Sequence, residues 1–285
     1  MRRPNQEEGK RPSKNLWWLN EIKPSEYSFW NSLHIMGSLP FRVETPAIWC
    51  TGHAHLGTSF LANNEQFLIS EPSFLIDKKQ VASIFLSEPT TNQKPTLEID
   101  FKDRNSRLTF STVTEHDKQR LDQLAAVFGW QMKPEIPALQ KRRQLREPTL
   151  CCSCTKAAHE RCKQINWNPL TDILTERIES RGSLLISIKS EGLQMAMEHQ
   201  IKTLEINGSH LLANSSQSSL AIDVRHLHAL YVNPTDFDNS DQLEIKLLNT
   251  HGKEIASLAA PNHEVSQTWI HFLQKRHNGY TRVSR

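Results

Sequence analysis

The sequence predicts an α+β chain: two tandem related repeats of antiparallel β-sheet, each closed by an α-helix. Short runs rich in apolar and β-branched residues recur between Asn, Pro, Lys and Asp, and each series ends in a segment of helical period. Strands grouped ahead of a helix favour antiparallel sheets over parallel βαβ units. The same order occurs twice: Ile76-Asp77 and Ile222-Asp223 lie 146 residues apart, and Leu97-Glu98-Ile99 and Leu243-Glu244-Ile245 keep that offset.

The elements divide the chain into four parts. Residues 1–46 form a basic, Trp-rich N-terminal extension, in which Trp17, Trp18, Trp30 and Phe41 are expected to pack onto a neighbouring domain. Residues 47–132 form the first repeat, with strands in HLGTSFL, EQFLIS, QVASIFL, TLEIDF and RLTFST. Its closing helix places Leu121, Leu124, Ala125 and Phe128 on one face, with Gly129 as C-cap. Residues 133–168 are a connector, marked by prolines and the basic run QKRRQLREP, that ends in a cluster of cysteines.

The second repeat, 169–285, opens with a helix in NPLTDILTERIESRG. Asn168 suits its cap, Pro169 its first turn and Gly182 its end, while Leu170, Ile173, Leu174 and Ile178 form the apolar stripe. Strands follow in SLLISIKS, LQMAMEH, IKTLEI, SLAIDV, HALYVN, QLEIKLLN and KEIASLA. A final helix turns Trp269, Ile270 and Leu273 inward.

Composition narrows the function classes. The chain has 285 residues, a formal charge of +3 and 37% hydrophobic content, as a globular protein with a proper core does. A charge this small carries no dominant nucleic-acid footprint, and the local basic runs read as solvated tails or linkers. The apolar runs are too short to span a bilayer, and no apolar stretch follows the basic start as a signal peptide requires. Five cysteines, two of them adjacent, make a poor disulfide framework, so a cytoplasmic, reducing compartment is expected. The nucleotide-binding and hydrolase motifs G-x-G-x-x-G, Walker A, G-x-S-x-G and H-E-x-x-H are absent.

Four of the cysteines crowd into LCCSCTKAAHERCKQ. Cys151, Cys154, His159 and Cys162 supply thiolate and imidazole ligands in the number that a tetrahedral zinc needs, though the spacing departs from a zinc knuckle. A cofactor ligand and inert small side chains are the other two readings. Two H-x-H pairs, His53/His55 and His226/His228, would each present both rings on one side of an extended strand. Such a pair can contact a metal or the edge of a ligand, or can be a polar strand face. Cys50 close to His53 and His55 has the residue types of a nucleophile and base.

The second half resembles the bacterial hemin-degrading factor and heme-carrier family (HemS/ChuX-like). The resemblance rests on the order of Leu184–Ile188, Gly192, Leu193–Met197, Ile201-Lys202-Thr203, Gly208, Leu227–Val232, Leu243–Leu247, Asn249–Gly252 and Trp269. It covers about 184–275 well and about 48–130 weakly. It implies antiparallel sheets with flanking helices, and cytoplasmic binding and handling of heme, with transfer to a heme oxygenase or another acceptor protein, or degradation. Met197 stands where the family often carries His, and Asn249 replaces an Asp. The family's axial His lies on a helix in the connector region, where His159 is the one histidine of this chain. On this reading His159, Lys202, Arg225, His226 and His228 are the candidate heme-binding residues, with Lys202 and Arg225 as propionate partners. The alternative is a non-enzymatic interaction protein whose Cys/His connector is stabilised by zinc.

Overall fold

The computed structural model describes residues 15–18, 27–63, 65–88, 94–128, 131–134, 145, 169–227, 229–232, 243–249 and 252–275. Strand β1 (Asn15–Trp18) precedes helix α1 (Tyr27–Ser32) and a 3-10 turn, Leu33–Met36. The hairpin β2 (Ser38–Glu44) and β3 (Ile48–His55) is followed by β4 (Phe60–Leu61), β5 (Gln66–Ile69) and β6 (Ser73–Asp77). Then come β7 (Val81–Glu88), β8 (Thr96–Phe101), β9 (Arg107–Ser111), helix α2 (Glu115–Val127) and β10 (Gln131–Pro134).

The second half begins with helix α3 (Pro169–Glu179) and the hairpin β11 (Ser183–Lys189) and β12 (Leu193–Gln200). A small meander follows: β13 (Thr203–Asn207), β14 (His210–Asn214) and β15 (Ser219–Asp223). A larger one comprises β16 (Ala229–Val232), β17 (Glu244–Leu248) and β18 (Glu254–Ala259), and helix α4 (His263–Lys275) comes last.

The strands form two antiparallel sheets, and neither belongs to one half of the chain. A ten-stranded sheet runs β10-β1-β7-β8-β9-β2-β3-β15-β14-β13, and an eight-stranded sheet runs β16-β17-β18-β11-β12-β6-β5-β4. The small meander of each half therefore leaves its own hairpin and extends the sheet of the other half. This corrects the expectation of one sheet per half. The cause is pairing: β15 docks on β3, with Ile222 opposite Ile48 and Leu220 opposite Cys50, and β6 docks on β12, with Ile76 opposite Leu193. Each docked strand buries the apolar side of its pleat at a place where the hairpin edge would otherwise stand open.

Three local expectations also change. Residues 38–44, placed with the extension, are the inner strand β2, paired with β3 on one side and β9 on the other. Its alternation buries Leu39, Phe41 and Val43. The strand expected in HLGTSFL lies one step earlier, in IWCTGHAH, where Ile48, Cys50, Gly52 and Ala54 alternate inward. Leu56 then buries itself by starting a 3-10 turn. Strand β14, unmarked in the sequence, is paired with β13 through a tight turn whose Gly208 adopts φ 59°, a conformation other residues enter at a cost.

The helices follow their stripes. In α2, Leu121, Leu124 and Ala125 are buried, and the ring of Phe128 packs at 5.7 Å on Phe29. The helix starts in a capping box: the Thr114 hydroxyl accepts from Asp117 N–H at 3.1 Å, and the Asp117 carboxylate accepts from Thr114 N–H at 2.8 Å. Leu170, Ile173 and Leu174 of α3 and Trp269 of α4 are fully buried, and the Trp269 indole donates to Glu176 at 3.1 Å. Gly129 and Asn168, the expected caps, lie outside the described residues. The aromatic core spans the sheets, with Phe41 of β2 edge-on to Phe74 of β6 at 5.0 Å and Trp30 against Phe67 at 5.1 Å.

Gly192 shows how tightly the halves meet. A Cβ there would lie 2.3 Å from Phe101 Cδ1 and 2.9 Å from Gln80 Cβ, and Phe101 is itself buried. Gly192→Ala is expected to destabilise the whole chain by about 1–3 kcal/mol through overpacking. The melting midpoint should fall by several degrees in a calorimetric scan; an unchanged midpoint would show that the contact can relax freely.

Candidate functional site

The seam between the sheets opens into a cleft of about 700 Å³. Its walls come from both halves: β2 and β3, the turn before β6, β11 and β12, and the turn between β14 and β15. Phe41, Leu185 and Met197 supply apolar surface, while His53, His55, Glu71 and Glu198 supply polar groups. The volume lies in the ordinary range for a small-molecule pocket, roughly 300–1,000 Å³.

His53 and His55 project from one side of β3, as their spacing predicts. Both are exposed, while Gly52 and Ala54 alternate inward. Neither imidazole has a hydrogen-bond or ion-pair partner among the described residues. The His55 ring lies over Gly57, where an added Cβ would come within 3.4 Å of its Nε2.

Cys50 faces the opposite way, into the core. Its thiol donates to the Met197 thioether at 3.3 Å, and burial pushes its pKa up to about 12. Strand alternation thus separates Cys50 from both imidazoles, and a protonated, buried thiol is a poor nucleophile. Met197 has Cys50 on one side and the cleft on the other.

His199 fixes the far wall. It is fully buried, with Nδ1 2.7 Å from the Ser218 hydroxyl and Nε2 3.1 Å from the Ala213 carbonyl. An Nε2–H donating to that carbonyl and an Nδ1 accepting from Ser218 satisfy the neutral ring. Burial lowers its pKa, in spite of the opposing effect of the Ala213 carbonyl. Ser218 lines the cleft, so His199 sets the position of that turn.

A second constellation surrounds Asp223 at the end of β15. The Arg225 guanidinium donates to its carboxylate through Nε at 3.0 Å and Nη2 at 2.5 Å, and Arg225 N–H adds a third bond at 3.0 Å. His226 Nε2 stands at 3.6 Å and His210 Nε2 at 3.8 Å from the same carboxylate. Burial alone would raise the Asp223 pKa, but the Arg225 hydrogen bonds and the neighbouring His226 and Arg225 charges bring it below the usual carboxylate value.

Comparison with solved structures gives the fold its place. The E. coli O157:H7 heme degrading enzyme ChuS superposes with a TM-score of 0.65 at 11% identity, covering 90% of this chain and 86% of ChuS. Apo-PhuS, a heme-binding protein from Pseudomonas aeruginosa, gives 0.63 at 10% identity over 92% and 86%. Holo-PhuS gives 0.61 at 10% identity over 87% and 82%. The chain has the fold of ChuS and PhuS. No family model and no curated protein sequence matches it.

The residues that the sequence offered as heme or zinc ligands fall into three groups. Arg225 and His226 come together, but around Asp223. Lys202 is apart from them: its N–H bonds to Asn214 at the other end of β14, about 13 Å along the strand at the usual rise per residue. His159, Cys151, Cys154, Cys162 and His228 lie outside the described residues. No group of three or more His, Cys, Asp or Glu side chains among the described residues is placed to hold a metal ion. Sequence reasoning missed His199, Glu71, Glu198 and the cleft itself. A histidine ending a strand looks solvated, and the cleft exists only once strands of both halves are interleaved.

Two outcomes follow from this geometry. His199 is neutral in the fold, so its contribution to stability is complete above its unfolded pKa, near 6.5, and is lost as pH falls toward the lower folded value. His199→Gln is expected to flatten the fall in melting midpoint between about pH 7 and pH 5; an identical slope would assign that fall to other groups. Cys50 should resist iodoacetamide at about pH 8 in the folded chain and react once unfolded, as read by peptide mass mapping. Rapid alkylation in the folded state would contradict the buried thiol.

Proposed function

We propose that this chain is a heme-binding protein acting in heme utilisation or trafficking. The reading rests on one observation above the others: the fold shared with ChuS and PhuS extends over about nine-tenths of this chain and most of each of theirs. A cleft of suitable volume lined by apolar side chains and by the imidazoles of His53 and His55 is compatible with it.

The chain is further proposed to be built of two related α+β units. The strand orders β7-β8-β9-β2-β3-β15-β14-β13 and β16-β17-β18-β11-β12-β6-β5-β4 correspond place by place, and the sequence offset of 146 agrees with them. A helix follows the third strand of the larger meander in both units.

Hemin titration of the purified chain at micromolar concentration is the direct test. A saturable Soret shift with about one heme per chain is expected, and a featureless, non-saturating titration would remove the reading. Reductant added to the loaded protein in air then separates holding from breakdown. A Soret band that persists marks a carrier, and one that bleaches marks a degrading enzyme, which needs an iron position left open for dioxygen.

A further inference from the structure

We propose a second activity at the cleft: Ser218 is an acyl-accepting nucleophile, His199 is its general base, and the substrate is an activated ester. The proposal is independent of the heme reading above. Its ground is a chain of hydrogen bonds in which each proton has one allowed place. The Ala213 carbonyl can only accept, so the neutral His199 ring carries its proton on Nε2, 3.1 Å away. Nδ1 is then an acceptor, and the Ser218 hydroxyl 2.7 Å from it donates. The Ser215 hydroxyl accepts from Gln217 N–H at 3.1 Å and from Ser218 N–H at 2.9 Å, which leaves it to donate to Ser218 Oγ at 2.8 Å. Ser215, Ser218, His199 and Ala213 thus form one line of hydrogen bonds pointing the same way.

That order is the one a nucleophile and its base require. A serine hydroxyl donating to an imidazole whose other nitrogen is held by an acceptor is recognised by geometry, whatever the fold or chain order. Here the orienting group is a backbone carbonyl instead of a carboxylate. Burial is divided to match: His199 is fully buried, whereas Ser218 is half-buried and lines the cleft. One lone pair of Ser218 Oγ receives the Ser215 proton, and the second is left for an electrophile. The side-chain amide of Gln217, exposed on the same turn, is a donor for an oxygen on which charge develops.

The chemistry balances without an oxidant or cofactor. In the first step Ser218 Oγ bonds to the ester carbonyl carbon while its proton passes to His199 Nδ1. The carbon–oxygen bond to the leaving group then breaks, and His199 returns the proton to the departing oxygen. Water repeats the sequence: it loses a proton to Nδ1 and attacks the acyl carbon, and Ser218 departs with its proton restored. Burial lowers the His199 pKa, so the ring gives a proton up readily but takes one weakly. The acyl donor must therefore have a leaving group that departs easily, as an aryl ester does. Glu71 and Glu198 stand in the lining, with no lysine or arginine among the described lining residues, so the donor is neutral or cationic.

The test uses the full-length chain with a fluorophosphonate and p-nitrophenyl acetate as probes. Exposed imidazoles such as His53 and His55 also cleave the acetate, so a covalent adduct on Ser218, read by peptide mass mapping, is the deciding signal. An adduct on Ser218 is expected from the folded chain at about pH 8, where the base is neutral. Ser218→Ala should lose part of the acetate cleavage while keeping a melting midpoint near that of wild type. His199→Gln should slow labelling of Ser218 by roughly a hundredfold or more. Because burial lowers the His199 pKa, the labelling rate should hold down to about pH 6.5 and fall only below it. No adduct on Ser218, or acetate cleavage unchanged in Ser218→Ala, would overturn the proposal, as would undiminished labelling in folded His199→Gln. If His199→Gln does not fold, the pH profile decides: a rate already halved above about pH 7 would remove His199 as the base.

Discussion

Two backbone hydrogen bonds mark the seams on which the architecture depends. Asp77 N–H donates to the Gly192 carbonyl at 3.0 Å, and Asp223 N–H donates to the Ala47 carbonyl at 2.8 Å. Each stands where the last strand of one half's small meander reaches the hairpin of the other half. Beside them run the ladders of β6 on β12 and β15 on β3. Individually such bonds contribute about 1 kcal/mol. Their importance is topological: they complete an edge that neither half can cover with its own strands.

The cleft is a product of the same seam. It is lined where β3 and β12 each pair with a strand of the other half, by residues of both sheets. The groups bordering that space are consequently unlike. His53 and His55 come from β3, while Met197 and Glu198 come from β12. Below the surface Cys50 and Met197 close the gap sulfur to sulfur, and His199 ties down the turn at the far wall. The mouth is thus polar and exposed, and the floor is apolar and buried. The cleft is positioned by both sheets at once.

What the sequence made legible was whatever depends on local period. Strands such as β8, β17 and β18 and the stripes of α2, α3 and α4 were readable because their apolar residues repeat at the spacing of the element. β3 was misplaced because Gly52 and Ala54, which occupy its inward positions, carry no strand preference. β14 escaped because its short apolar run sits among Asn and Ser residues. The exchange of strands was beyond reach, since it depends on which edges match and not on what each edge is. For the same reason Arg225 looked like a free cation for a propionate, when the carboxylate it holds is two residues away. The His53/His55 pair was read correctly as sharing a side; its setting was not visible.

Strand exchange also has a consequence in time. β3 and β6 lie early in the chain, yet their partners β15 and β12 are synthesised only after the whole connector. At a translation rate of roughly 5–20 residues per second, β3 and β6 wait on the order of 6–35 s for their partners. Those edges carry Ile48, Cys50, Phe74 and Ile76, all buried in the finished protein. During that interval the nascent chain presents a sticky, strand-ready surface to its surroundings. Long-range pairing of this kind folds slowly, so the second half must arrive before a neighbouring chain does.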